Sequence, residues 1–198
     1  MRRAATLTLA ILTLALLASA CSPVSQVAIH DDFDKVDKHA TYRLEVTVAP
    51  VKPADEAVGK LYGKIARRYA NDHRDFIVRG VQVSAERRVT KASCEGSTEG
   101  VLWLKPTFRV VGEDVHVRVV AELRRCKGWV RIWRAVSQGT WPSRDPQLAQ
   151  LTAQYTREVG EGAKIHAAPA FRALRALVDT MPRPKLIKDA DIDEKIDL

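Results

Sequence analysis

A run of alternating apolar and polar residues at positions 42–48 predicts the first strand of a folded domain. Its apolar members are Tyr42, Leu44, Val46 and Val48, and Arg43, Glu45 and Thr47 lie between them. A period of two places alternate side chains on the same face, so the pattern predicts a strand with one buried face. Pro50 and Pro53 end the pattern.

A helical period follows these prolines. The acidic residues Asp55 and Glu56 provide a helix start, and apolar residues then recur at helical spacing: Val58, Leu61, Tyr62, Ile65 and Tyr69. Most of the Lys and Arg residues of this segment fall on the opposite side. Gly59 and Gly63 lie on the helix at a spacing that lets another element pack closely, whereas a membrane dimer motif needs a longer apolar run.

Four further segments have the composition of strands. They cover residues 76–84, 101–111, 115–123 and 129–139, and the last three predict an antiparallel meander. A two-residue turn at Lys127 and Gly128 would pair Leu123 with Ile132 and Val119 with Val136, which gives a consistent apolar face. A three-residue turn would place an arginine opposite Leu123. We therefore predict the two-residue turn, because a slip of one residue exchanges the two faces.

The other face of this predicted hairpin is polar with an aromatic centre. It carries Arg118, Glu122, Arg124, Arg131 and Trp133. One hypothesis is a binding face with Trp133 as its anchor and arginines around it. The alternative, which we favour because charged runs are most often solvated, is a solvated or helix-covered face on which Glu122 offsets two arginines. Arg134 falls among the apolar residues, which indicates a bulge near Trp129.

Two helices and an acidic tail complete the chain. Asp145 is a candidate N-cap with Pro146 in the first turn of a helix that ends at Gly160, and a second helix is predicted from Pro169 to Thr180. The tail, residues 183–198, is interpreted as either a short docked helix or a partner-binding peptide. We expect a single α+β domain over residues 41–182, with a mainly antiparallel sheet of about five strands packed against two to three helices.

The first 20 residues have the layout of a signal peptide. Arg2 and Arg3 precede an apolar stretch of about a dozen residues, which is shorter than the roughly 20 residues that cross a bilayer. Small residues, Ala18, Ser19 and Ala20, then lead to Cys21.

The cysteine at this point resembles the lipobox of bacterial lipoproteins, although Ala18 stands where that family prefers Leu. The resemblance implies that the Cys21 thiol receives a diacylglycerol and that residues 1–20 are removed. The alternative is plain secretion with a free Cys21. Ser22, rather than Asp, favours the outer membrane by similarity to enteric lipoproteins. Residues 21–40 are interpreted as a tether that reaches at most about 65 Å, with a later half apolar enough to dock on the domain.

The cysteine count fits this interpretation. The chain has three cysteines, and an odd number leaves one thiol unpaired in a secreted protein. If Cys21 carries lipid, Cys94 and Cys126 remain as a pair in an oxidising compartment, and we predict a disulfide between them. The alternative is two buried thiols. Neither cysteine has a partner at zinc-ligand spacing, and no Cys-x-x-Cys is present.

The net charge of the chain limits the kinds of partner that we expect the protein to bind. The chain has 32 Lys and Arg, two of which fall in residues 1–20, so 30 remain against 24 Asp and Glu, a net charge of +6. An exported basic protein seldom meets nucleic acid, so we expect no nucleic-acid partner. Anionic headgroups, an anionic envelope polymer or an acidic envelope protein are the expected partners.

No catalytic or cofactor motif is found, so we expect neither enzymatic activity nor a bound cofactor. The five histidines are scattered, and the sequence has no Gly-x-Ser-x-Gly, His-Glu-x-x-His or phosphate-binding glycine loop. His30 beside Asp31 and Asp32 is the best metal-like cluster, but a solvated acidic patch is the favoured interpretation, and we predict no metal site.

Six segments of the body resemble a group of bacterial lipoproteins without assigned function: Arg67–Tyr69, Arg74–Val78, Gly100–Leu104, Arg125–Cys126, Ser143 with Asp145, and Ala168–Leu174. The order of elements behind a lipobox also resembles small α+β envelope lipoproteins of the curli-secretion and penicillin-binding-protein-activator types. The resemblance implies a protein that binds other envelope components.

Three functions therefore remain open. The first is a membrane-anchored, noncatalytic lipoprotein that binds a protein or polymer in the cell envelope. The second is a lipid or small-molecule carrier or transport accessory, which would enclose an apolar pocket between the sheet and the helices. The third is an envelope hydrolase built from residues distant in sequence.

Overall fold

The computed structural model describes residues 23–31, 33, 41–51, 55–184 and 189–196. The predicted signal peptide, Cys21 and Ser22 lie outside these residues. The strands are β1 (Val24–Ile29), β2 (Arg43–Val48), β3 (Ile77–Val83), β4 (Gly100–Val111), β5 (Asp114–Arg125) and β6 (Arg131–Pro142). The α-helices are α1 (Glu56–His73), α2 (Ala149–Val159), α3 (Lys164–Val178) and α4 (Asp189–Ile196).

The six strands of the described residues form one mixed sheet in the order β1-β6-β5-β4-β2-β3. The strands β4, β5 and β6 form the expected antiparallel meander, and β1 is antiparallel to β6. By contrast, β2 is parallel to both of its neighbours, β3 and β4. The single α+β domain is confirmed, but the sheet has one more strand and more parallel pairing than predicted.

The parallel pairing follows from the helix between β2 and β3. The 18 residues of α1 return the chain to the end of the sheet where β2 began, and a crossover of this kind makes consecutive strands parallel. The Asp55 carboxylate accepts a hydrogen bond from the Val58 amide at 3.2 Å and caps the helix. The predicted apolar face of α1 is buried, with Val58, Leu61, Tyr62, Ile65 and Tyr69 all at most 9% exposed.

The helices α1 and α3 pack against one face of the sheet, called the inner face here. The core between them contains Leu44, Val46 and Val48 from β2, together with Leu102, Leu104, Leu123 and Trp133 from the meander. The opposite face, called the outer face, carries Trp103, Glu122 and Arg134. Because side chains alternate along each strand, the polar positions of the meander are gathered on this outer face.

The β5–β6 hairpin has a different register from the predicted one. Leu123 lies opposite Trp133, and Val119 lies opposite Ser137, which is one residue away from the expected pairing. A bulge opposite Leu123 and Arg124 accounts for the difference, because Arg124 pairs with Arg131 and leaves Ile132 as the extra residue. The turn contains Gly128 at φ +77° and Trp129 at φ +54°, and positive φ at the glycine costs nothing sterically.

The segment interpreted as a tether contributes a strand of the sheet. Of residues 21–40, the structure describes 23–31 and 33, and Val24–Ile29 form β1 along the edge of β6. The partly buried side chain of Phe33, in the later half of the segment, also packs against the core, and residues 34–40 lie outside the described residues. A bulge between Ser25 and Ala28, with Gln26 at φ +57°, interrupts the alternation, which is why the sequence pattern conceals this strand.

The C-terminal helices begin at different residues from those predicted. A 3-10 turn at Pro146–Leu148 follows the Asp145 cap and leads into α2, which ends at Val159 with the expected Gly160 as its C-cap. Helix α3 begins at Lys164, five residues before the predicted start, and contains Pro169. Pro169 is the sixth residue of this helix, beyond the four N-terminal residues whose amides lack intrahelical partners, so it removes one hydrogen bond, to the Ile165 carbonyl, from the helix. In the acidic tail, Glu194 of α4 pairs with Arg43 and Arg79, so α4 is docked on the domain.

Candidate functional site: a cationic sheet face

Six basic side chains project from the outer face of the meander. They are Lys105 and Arg109 on β4, Arg118 and Arg124 on β5, and Arg131 and Arg134 on β6, and together they are called the cationic face. The register brings them together, because Arg124 lies opposite Arg131 and Arg118 lies opposite Thr107 and Gln138. The cationic face is therefore built from three adjacent strands rather than from one loop.

A single carboxylate lies at the centre of the arginine cluster. Arg124 Nη2 lies 3.0 Å from Glu122 Oε2, while Arg131 Nη1 and Arg134 Nε lie 3.5 and 3.6 Å from Glu122 Oε1. Only 13% of the Glu122 side chain is exposed, compared with 48% for Arg131. Three guanidinium groups thus share one negative charge, which leaves a local excess of positive charge at the surface.

The other three cations have no ion partner on this face. Lys105, Arg109 and Arg118 are exposed, and within the described part of the chain no Asp or Glu oxygen lies within 4.0 Å of their charged nitrogens. The Arg118 backbone carbonyl accepts a hydrogen bond from Thr107 Oγ1 at 3.2 Å. These three side chains are therefore available to a partner.

Two tryptophans flank the arginine cluster. The guanidinium carbon of Arg124 lies 5.6 Å from the centre of the Trp129 ring, within cation–π distance. Trp103 lies directly opposite Glu122 on β4, is 7% exposed, and has a buried indole N–H with no hydrogen-bond partner among the described residues. Trp129 is half-buried, so an aromatic surface borders the cationic face.

The structure changes the predicted membership of this face. Arg118, Arg124 and Arg131 lie on it as predicted, but Trp133 does not, because the bulge turns it inward and its side chain is fully buried in the core. Arg134 takes its place opposite Glu122. The bulge that Arg134 indicated in the sequence therefore exists, and it replaces an aromatic anchor with a fourth guanidinium.

A disulfide lies beside the end of the cationic face that carries Arg124. Cys94 Sγ and Cys126 Sγ are bonded, as the cysteine count predicted, across a sequence separation of 32. The Cys126 amide also donates to the Glu99 carbonyl at 2.8 Å, and the Glu99 carboxylate accepts from the Tyr42 and Arg43 amides at 3.0 Å. These bonds fix the start of β2 and the β5–β6 turn relative to each other, and so hold Arg124 and Trp129 in place.

A surface groove along α2 does not extend between the sheet and the helices. This groove has a volume of about 1300 Å³ and is lined by residues from Ser143 to Ile165, none of which belongs to a strand. The space between the sheet and the helices is filled by fully buried large side chains, among them Trp133, Tyr62 and Phe76. The apolar cavity expected of a carrier is thus not found at this groove.

The histidines of the described residues are not gathered into a catalytic or metal-binding group. His116 lies at the end of β5 opposite to Arg124, and its Nδ1 is 2.6 Å from Thr140 Oγ1. His166 is buried on α3, and its ring centre is 4.2 Å from that of Phe108. Burial lowers the pKa of His166. In the part of the chain that the structure describes, no three His, Cys, Asp or Glu side chains converge as metal ligands would.

Among the helices that the structure describes, none has both the length and the apolar composition needed to cross a bilayer.

No protein-family model matches this chain, and no curated protein matches it in sequence. Solved structures of low sequence identity resemble it in part of their backbone. A PelC dodecamer subunit from Paraburkholderia phytofirmans is 13% identical, with 82% of this chain and 98% of that chain covered and a TM-score of 0.46. Lipoprotein GNA1162 from Neisseria meningitidis is 12% identical, with 60% and 97% covered and a TM-score of 0.37.

A third neighbour is the LpoB C-terminal domain from Salmonella enterica, which is 15% identical, with 55% of this chain and 88% of that chain covered and a TM-score of 0.29. The structural neighbours thus include bacterial lipoproteins of the cell envelope. At these identities and TM-scores the likeness is limited to part of the backbone course.

Proposed function

We propose that this protein is a lipid-anchored, noncatalytic domain of the bacterial cell envelope that binds an anionic partner, a polymer or an acidic protein, through the cationic face. The observation that carries the proposal is the convergence of Arg124, Arg131 and Arg134 on the single carboxylate of Glu122. Arginine binds carboxylate and phosphate groups through a planar fork of donors, so this arrangement suits an anionic ligand.

The dimensions of the cationic face favour an extended ligand. Arg118 and Arg124 are six residues apart along β5, which corresponds to about 20 Å, and the three strands of the face span about 10 Å across. The charges are spread over this area rather than gathered in a closed pocket. A chain with repeated negative charges would contact several cations at once, whereas a single small anion would meet only one cluster.

The location in the envelope is supported by the sequence. The signal-peptide layout, the lipobox-like residues before Cys21 and the pairing of the remaining cysteines are together typical of an exported lipoprotein. Two or three acyl chains on Cys21 would anchor the protein stably, because each buried methylene contributes about 0.8 kcal/mol. Ser22 supports placement in the outer membrane, with the domain facing the periplasm.

Binding to a model polyanion tests the role of the cationic face. The double variant Lys105→Glu, Arg118→Glu should bind polygalacturonate about 30-fold more weakly than the parent, because two lost attractions and two new repulsions cost roughly 2 kcal/mol in all. Lys60→Glu, Arg157→Glu is the matched control, since both residues are exposed on the helices and the change in net charge is identical.

Isothermal titration at low and at high ionic strength provides the measurement. Equal weakening in both double variants would show that binding depends only on net charge, and would contradict a role for the cationic face. Weakening confined to the first variant, and lost at high ionic strength, would support it.

Membrane fractionation tests the anchor separately. Cys21→Ser should move the protein from the membrane fraction to the soluble periplasmic fraction, while the parent stays with the outer membrane. Unchanged fractionation of the variant would contradict lipid anchoring at Cys21.

A further inference from the structure

We infer that the sheet edge formed by β1, together with the adjoining part of α3, lies directly against the membrane surface. The inference rests on the proposed lipidation of Cys21 and adds to it the orientation of the domain. Three features support the inference: the edge strand, the cavity beside Pro23, and the short length of chain between Pro23 and Cys21.

The domain begins almost at the lipidated residue. The Pro23 carbonyl accepts a hydrogen bond from the Gln138 amide at 2.7 Å, and β1 then runs along β6 with Val24 opposite Ser137 and Ile29 opposite Trp133. Cys21 is only two residues before Pro23, and two residues of chain span at most about 7 Å. Because the acyl chains of Cys21 enter the hydrocarbon, its backbone stays at the level of the headgroups, and β1 must lie close to them.

The exposed surface of β1 has the composition of a membrane interface. Val27 is 44% exposed and Ile29 is 50% exposed, and both belong to the few large apolar side chains that the described residues leave open to solvent. Apolar side chains at this position would be unfavourable in water and favourable in the headgroup and acyl boundary. This observation is independent of the distance to Cys21 and indicates the same surface.

Aromatic and arginine side chains adjoin Pro23. A shallow cavity of about 350 Å³ is lined by Pro23, Trp141, Phe171, Arg172 and Arg175. Arg172 pairs with Asp145, and Arg175 Nε lies 4.0 Å from Asp179 Oδ2, so this region contributes guanidinium donors rather than a large net charge. Indole rings and guanidinium groups are both favoured at the headgroup level of a bilayer.

The orientation places the cationic face beside the membrane rather than on it. The edge strands β1 and β3 are separated by five strand spacings, which correspond to about 24 Å, so β3 would point away from the bilayer. The sheet would then extend away from the membrane surface, with its outer face directed sideways. A partner that extends through the envelope could reach Arg118 and Arg124 from that side.

A fluorescent probe at two positions tests this orientation. The mature lipidated protein carrying Ile29→Cys is labelled with an environment-sensitive dye and reconstituted into vesicles of phosphatidylethanolamine with a minority of phosphatidylglycerol. The native thiols do not react, because Cys21 carries lipid and Cys94 is bonded to Cys126. Gln82→Cys is the matched control, since Gln82 is exposed on β3 at the opposite edge.

We expect the dye at position 29 to shift to shorter wavelength and to be quenched by a nitroxide attached to the lipid headgroup, and the dye at position 82 to do neither. Val27→Cys provides a second probe of the same surface if the first variant folds poorly. If the protein floats with the vesicles and the two edges give the same response, the inference is wrong and the anchor stands. If the protein does not float with the vesicles, the anchor fails and the orientation fails with it.

Discussion

Replacing Glu122 with glutamine should lower the stability of the domain and raise its affinity for polyanions. The carboxylate pairs with three guanidinium groups at 3.0, 3.5 and 3.6 Å, and glutamine keeps its volume while removing its charge. If the cationic face is a binding site, Glu122 competes with the ligand for the same arginines. If the face is only solvated, Glu122 affects nothing except folding.

The size of both effects follows from the exposure of the pairs. Partly exposed ion pairs contribute at most about 1 kcal/mol each, and three that share one carboxylate are not additive, so the expected loss is about 2 kcal/mol in the free energy of unfolding. For a chain of this length this lowers the melting temperature by about 4 to 8 °C. One ligand carboxylate taking the vacated position gains about 1 kcal/mol, which is roughly fivefold tighter binding.

Glu158→Gln is the matched control for this substitution. The Glu158 carboxylate pairs with Lys64 and Arg68 at 3.1 and 3.2 Å on the helical side of the domain. Although burial raises the pKa of Glu158, hydrogen bonds from these two cations outweigh it and hold the pKa below the usual range. This variant should lose stability without any change in polyanion affinity.

Urea denaturation followed by tryptophan fluorescence gives the stabilities, and isothermal titration with polygalacturonate at low ionic strength gives the affinities. The decisive comparison is the ratio of affinities between Glu122→Gln and the parent. A ratio of one, together with reduced stability, would place Glu122 in the same class as Glu158 and refute the assignment of the three arginines to a ligand.

Three further outcomes are expected from the fold. Cys94→Ser should lower the free energy of unfolding by about 3 to 4 kcal/mol, since the disulfide with Cys126 closes a loop with a sequence separation of 32; a loss below 1 kcal/mol in urea titrations would argue against this role. Because burial lowers the pKa of His166 below its ordinary value of 6.5, the unfolded chain binds a proton that the folded chain does not, so stability should fall as the pH drops from about 7 to 5. His166→Gln should flatten that part of the stability profile, and an unchanged slope would assign it to other groups. Gly63→Ala should destabilise the domain by about 1 to 2 kcal/mol despite the better helix propensity of alanine, because a Cβ there would overlap Val81 Cγ1, and a raised melting temperature would show that Val81 moves aside.

Sequence patterns predicted the elements whose periodicity is uninterrupted. The alternation from Tyr42 to Val48 and the helical spacing from Val58 to Tyr69 correspond to β2 and α1, because each element buries one continuous face. The parallel partners of β2 were not predicted. Neither alternation nor composition states which strands become neighbours, and the pairing depends on the crossover that α1 makes.

The candidate site was predicted in part, and a single inserted residue explains the rest. Arg118, Arg124 and Arg131 were assigned to the polar face, but the bulge at Ile132 moves Trp133 into the core and brings Arg134 to Glu122. A uniform two-residue period does not accommodate an extra residue. The misplaced Arg134 was the sequence signal of the bulge, since a guanidinium on an apolar face needs either a partner or a different register.

The pairing of β1 with β6 has a consequence for the order in which the protein folds. Val24 and Ser137 lie opposite each other although 113 positions separate them in the chain, so β1 is synthesised long before β6, its partner among the described strands. Closing such a contact carries a large loop-entropy cost, and contacts of high sequence separation form slowly. Under the proposed export and lipidation, the N-terminal strand would stay unpaired during translocation, and Cys21 would remain open to modifying enzymes until β6 completes the sheet.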